Sequence, residues 1–162
     1  MESLTQLITG VGTNCTSGTL AGLNAATLTD HQVCDTSVKT ITMWGWQFDN
    51  KTDYGKGLDH LLHFTGFYDG TAGPNCPPKG SSTIGSGTWN STSDPRFKAG
   101  TGQVFDCYVD HLSASSGGNQ ATYLWSFPQY NIILLAQNAT KDGGYPPLDT
   151  WWTALSLSLI HI

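Results

Sequence analysis

The 162-residue chain has the length of one domain, enough to bury about two thirds of its unfolded surface and to own a core. Charged side chains make up only 12% of it, and 12 acidic against 7 Lys and Arg residues leave a formal net charge of −5. A single arginine, Arg96, and the absence of a basic face disfavour nucleic acid as a partner, while 38% hydrophobic residues and six Trp argue against disorder.

Glutamate occurs once, at Glu2, and Gly, Ser, Thr and Asn are abundant. Surface helices draw on Glu, Lys, Arg, Ala and Leu, so strands and loops are expected. The opening stretch 1–12 has neither a basic segment nor a long apolar one, so no signal peptide is read there; for a secreted chain the expectation is a missing beginning, or a Met1 that is internal or introduced. Residues 38–48, VKTITMWGWQF, place Ile41 and Met43 in one phase and Trp44, Trp46 and Phe48 in the other. That switch predicts a bulge near Met43 to Gly45.

A helix is expected around 59–64, where Leu58, Leu61 and Leu62 share a face behind a cap at Asp59; an extended segment over 61–68 competes with it. Residues 69–90 form a long Gly/Ser/Thr-rich loop. Residues 103–110 and 122–127 alternate as strands: Phe105, Cys107 and Val109 share one side, and Tyr123, Trp125 and Phe127 share another. Residues 113–119 and 142–147 carry turn residues. YNIILLAQ at 130–137 is apolar in both parities and predicts a central strand covered on both faces.

The expected fold class is all-β, β-sandwich-like, with long Gly/Ser/Thr-rich loops and at most one or two short helices. Residues 1–156 are read as a single β-rich extracellular domain or a fragment of one. Residues 157–162 match the translation of a transposase-based sequencing-adapter end and are read as an adapter-derived tail. No run of about 18 apolar residues predicts a membrane span.

Cys15, Cys34, Cys76 and Cys107 are spaced too widely for a C-x-x-C metal or redox motif. Their even number predicts two disulfides and an extracellular setting, with three pairings open. Four sequons, at Asn14, Asn50, Asn90 and Asn138, predict glycosylation.

Nucleophile elbows, Walker loops and H-E-x-x-H are absent, and no cofactor or catalytic residue is assigned. A glycosidase pair would have to come from aspartates such as Asp49, Asp53, Asp59, Asp106 and Asp110. His60 and His63, with His111, have metal-compatible spacing, but ordinary hydrogen-bonded histidines are the simpler reading and no metal is assigned.

The tryptophans point to carbohydrate, because indoles stack on the apolar face of a sugar ring while neighbouring Asp and Asn take its hydroxyls. Trp44 and Trp46 share a strand face with apolar neighbours and are assigned to the core. Trp89, Trp151 and Trp152 lie among turn residues and are the candidate stacking side chains. The leading expectation is a secreted, β-rich, disulfide-linked glycoprotein domain that binds polysaccharide or glycan. The alternatives are a fragment of a secreted Asp/His-dependent hydrolase and a structural subunit such as a viral capsid, fibre or surface-layer protein.

Overall fold

A computed structural model describes residues 3–8, 11–20, 23–64, 76–77, 85–87, 105–111 and 113–158. Seven strands dominate it: β1 (Thr13–Ser17), β2 (Leu28–Asp35), β3 (Ile41–Phe48), β4 (Gly85–Gly87), β5 (Phe105–Asp110), β6 (Gln120–Phe127) and β7 (Ile132–Ala139). They form one wholly antiparallel sheet in the order β1-β2-β3-β7-β6-β5-β4. The fold is all-β, built from two meanders, β1-β2-β3 and β4-β5-β6-β7, that meet where β3 pairs with β7.

The double-apolar segment 130–137 becomes β7 at the centre of the sheet, and all eight residues of the strand are buried. Its two parities feed two cores. Ile132, Leu134 and Ala136 join Ile41, Met43, Tyr123, Trp125 and Phe127 on one face, together with Leu4, Leu7 and Ile8 of helix α1 (Leu4–Ile8). Ile133 and Leu135 join Trp46, Phe48, Tyr108 and Leu124 on the other, together with Tyr54, Leu61 and Leu62 of helix α2 (Lys51–Phe64).

Two-sided burial also accounts for the phase switch in β3, and the expected bulge at 43–45 is not there. β3 pairs without interruption with β7 from Ile41 to Gln47, and the irregularity on its other side falls between Leu28 and Asp30. Trp46 and Phe48 face α2, whereas Met43 faces α1. Gly45 allows that approach: a Cβ there would lie 2.6 Å from Leu4 Cδ1 and 2.9 Å from Leu134 Cδ2. Among the described residues the strands form one sheet, and α1 and α2 pack on its two faces.

α2 begins eight residues before the predicted start. Asn50 caps it, its Oδ1 accepting from the Asp53 backbone N–H at 3.0 Å while its Nδ2 donates to Asp53 Oδ2 at 2.6 Å. Gly55 and Gly57 hid this first half, since glycine lowers helix propensity. Residues 61–64 are therefore helix rather than the competing extended segment, and 65–68 lie outside the described residues. Gly57 is buried, and a Cβ on it would collide with the Phe48 ring. Gly57→Ala is expected to destabilise by about 1–3 kcal/mol through this overpacking, reversing the roughly 1 kcal/mol gain of propensity. Urea unfolding of the two proteins measures the sign.

A third helix, α3 (Tyr145–Ser158), occupies what reads in sequence as a turn followed by a tail. Gly143 and Gly144 make the turn at φ 103° and 62°, conformations that suit glycine. Pro146 and Pro147 then fall in the first helical turn, where no intrahelical N–H is needed. Leu148, Trp151 and Leu155 turn towards the first core. The tail boundary expected at 156/157 falls inside this helix, and 159–162 lie outside the described residues.

Cys15–Cys34 joins edge strand β1 to β2, and Cys76–Cys107 ties the segment at 76 to β5. No cysteine is free. Peptide mapping without reduction is expected to recover these two linkages and neither alternative pairing; a Cys15–Cys107 or Cys34–Cys76 peptide would contradict the arrangement. Among the described residues no helix is long and apolar enough to cross a membrane.

Candidate ligand-binding site

The structure separates the tryptophans differently from the sequence expectation. Trp46 is fully buried and donates from Nε1 to Thr19 Oγ1 at 2.9 Å, whereas Trp44, two residues earlier on the same sheet face, packs against the same core but is partly exposed. Trp151, expected to stack on a ligand, is only 3% exposed and packs 6.4 Å from Trp125. Its indole is turned into the core, because position 151 belongs to the sheet-facing stripe of α3. Trp89 lies outside the described residues.

Trp152 is partly exposed. It stacks on Phe105 at 4.9 Å and 16°, meets Tyr123 edge-on at 6.2 Å and lies 4.6 Å from Trp125. Tyr145 and Asp149, also partly exposed, precede it on the helix. Positions 145, 149 and 152 are spaced i, i+4, i+7 and therefore share one stripe, with Tyr145 and Trp152 about 10 Å apart along the axis.

The stripe is anchored to β6. Tyr123 donates its hydroxyl to Asp149 Oδ1 at 2.7 Å, and its ring lies 6.0 Å from that of Tyr145. Burial pushes the Tyr145 phenol above its ordinary range. Burial does the same to Tyr123, reinforced by its hydrogen bond to Asp149 and by that carboxylate's charge. Both phenols therefore stay protonated donors at any physiological pH. The resulting surface offers two aromatic side chains, a carboxylate between them and a hydroxyl beneath. The spacing 145/149/152 was present in the sequence, but the preceding Gly-Gly-Tyr-Pro-Pro turn signal concealed it.

The chain matches no family model, no curated protein and no solved structure. The chemistry of the site must accordingly be read from its own residues.

On the opposite face of the sheet, β5 aligns Asp106, Tyr108 and Asp110. Asp106 is 5% exposed and has no hydrogen-bond partner among the described residues; burial pushes its carboxyl up to about 6. Asp110 is also raised by burial, against the lowering effects of a Gln137 hydrogen bond and the His111 charge. Gln137 Nε2 bridges Asp110 Oδ2 at 3.2 Å and Thr122 Oγ1 at 3.0 Å. Four residues along a strand separate Asp106 and Asp110 by about 13 Å, with Tyr108 between them, and glycosidase carboxyls need about 5–9.5 Å. The other candidate acids are engaged elsewhere: Asp49 accepts from Thr29 Oγ1, and Asp53 serves the α2 cap and pairs with Lys56 at 3.9 Å. Asp59 sits exposed on α2.

His111 is exposed, with Nδ1 3.2 Å from Asn119 Oδ1, and His60 lies on α2, where the side chain of His63 is outside the description. Among the described residues no three His, Cys, Asp or Glu converge on a common point.

Of the sequons, Asn14 and Asn50 are exposed and Asn90 is outside the described residues. Asn138 is fully buried and donates Nδ2 to the Gly144 carbonyl at 2.9 Å, so the folded chain leaves no room for a glycan there. Its amide instead holds the turn that launches α3.

Proposed function

We propose that the chain is a secreted, disulfide-braced β-rich glycoprotein domain that binds carbohydrate through Tyr145, Asp149 and Trp152 on α3. The observation that carries this reading is the partly exposed Tyr–Asp–Trp stripe seated on Tyr123. A sugar presents an apolar ring face to an aromatic side chain and hydroxyls to carboxylates and phenols. The separation of Tyr145 and Trp152 suits two linked rings, with Asp149 between them. Two disulfides and the exposed sequons at Asn14 and Asn50 support the extracellular, glycosylated setting.

Titration of tryptophan emission with oligosaccharides tests the reading. Trp152→Ala is expected to weaken binding by about 0.5–1.5 kcal/mol, the part of an aromatic contact that exceeds its area. Absence of any saccharide response in the parent protein, or unaltered affinity in Trp152→Ala, would remove the site.

One observation favours a hydrolase as the second reading: Asp106, a buried carboxyl with a raised pKa, has the character of a general acid. Asp110, its neighbour on β5, lies about 13 Å away, beyond the separation glycosidase carboxyls need, and the binding reading is therefore preferred.

A further inference from the structure

We infer that the α3 site selects saccharides carrying a free ammonium group, such as oligomers of glucosamine, over neutral or N-acylated ones. The inference rests on the carbohydrate reading above and concerns the charge of the ligand.

The first reason is the state of Asp149. One of its oxygens accepts the Tyr123 hydroxyl. No basic side chain pairs with it among the described residues, where the one ion pair is Lys56–Asp53 on α2. Among the described residues the second carboxylate oxygen therefore keeps its acceptor capacity for a ligand, and a charged donor is the strongest partner a carboxylate can take.

The second reason is the company of that carboxylate. Tyr145 precedes Asp149 by one helical turn and Trp152 follows it by nearly one, so two π systems flank the carboxylate along the helix. Tyr and Trp rings attract ammonium groups through their electron-rich faces. A neutral hydroxyl would gain only the ordinary hydrogen bond. Tyr123 adds to the preference, since its hydroxyl already donates to the carboxylate and fixes its orientation.

The third reason is long-range. The chain carries 12 acidic residues against 7 Lys and Arg, so an incoming polycation meets a favourable field and a polyanion an unfavourable one. Sulfated or uronic-acid polymers are disfavoured by the same charges.

The test compares glucosamine oligosaccharides with N-acetylglucosamine oligosaccharides of equal length on the full chain, by calorimetry at low and high salt. The free-amine series is expected to bind about tenfold more tightly, the worth of one charge-assisted hydrogen bond, and to lose that advantage as salt rises. Asp149→Asn retains a neutral acceptor for Tyr123 and is expected to level the two series while the protein stays folded, with a small loss of melting temperature. Equal affinity of the two series in the parent would overturn the ammonium preference and leave the carbohydrate site standing. Binding of neither series would remove the site itself. A preference that persists in a folded Asp149→Asn protein would assign the selectivity to groups other than Asp149.

Discussion

Replacing Trp151 by Ala is expected to lower stability by about 3–5 kcal/mol, the cost of emptying a large buried aromatic site, and to lower the melting temperature by about 10 °C in a domain of this size. Trp151 is 3% exposed, closes α3 onto the sheet beside Trp125 and Leu148, and also walls a groove of about 520 Å³ lined by Ser37, Val38, Pro147, Thr150, Ala154 and Leu155. Its indole N–H has no partner among the described residues, so the loss is one of packing. Trp151→Phe, which restores most of the volume, should recover much of it. Trp152→Ala removes a partly exposed ring and is expected to cost clearly less, because part of its area was never taken from water. Thermal melts of the three variants beside the parent decide the matter. Equal losses at 151 and 152 would mean that both rings are core, and the binding stripe would then lack its principal aromatic.

That contrast marks where sequence reading stops. The centre of the sheet is legible in the sequence: a strand buried on both faces requires apolar residues in both parities, and the run IILLA at 132–136 supplies them for the first five of the eight buried positions of β7. β5 and β6 are legible from a different signal, the period-2 alternation that sets Phe105 and Cys107, and Tyr123, Trp125 and Phe127, on one face. In β3 a change of phase and a strand covered on both sides leave the same residues in the sequence, so the pattern alone does not choose between a bulge and two-sided burial.

α3 was missed although Leu148, Trp151, Trp152 and Leu155 repeat at i, i+3, i+4 and i+7. Two glycines and two prolines ahead of them signal a turn, and the structure uses them for one, followed at once by a helix. Missing the helix misplaced Trp151, since in a loop both indoles would be available, whereas on a helix one faces the core and the other its margin. Asn138 shows a different limit. An N-x-T triplet records only the side chains, and burial under the 143–144 turn depends on a tertiary arrangement that the triplet does not contain.

The domain should be more stable in mild acid than at neutral pH, and Asp106→Asn should abolish much of the difference. The Asp106 carboxyl is 5% exposed and burial raises it from 3.8 to about 6. Between those values the folded chain holds a proton that the unfolded chain has released, so stability falls as pH rises from about 4 to about 6 and is flat above for this group. The interval corresponds to about 3 kcal/mol at one pKa unit per 1.36 kcal/mol, and to about 2 kcal/mol once partial solvation of the site is allowed for. Asp110 is displaced in the same direction and adds to the slope. The other carboxylates contribute equally to parent and variant, so the difference between their urea-unfolding free energies isolates Asp106. Asn keeps the shape and brings no charge, and the variant is expected to gain on the parent by about 2 kcal/mol between pH 4 and pH 7. A difference that stays constant with pH would mean that the Asp106 carboxylate ionises in the fold as readily as in water, and that a counter-charge or bound cation holds it. A bound cation would reveal itself through a parent melting temperature that responds to added salts at neutral pH while the Asn variant does not.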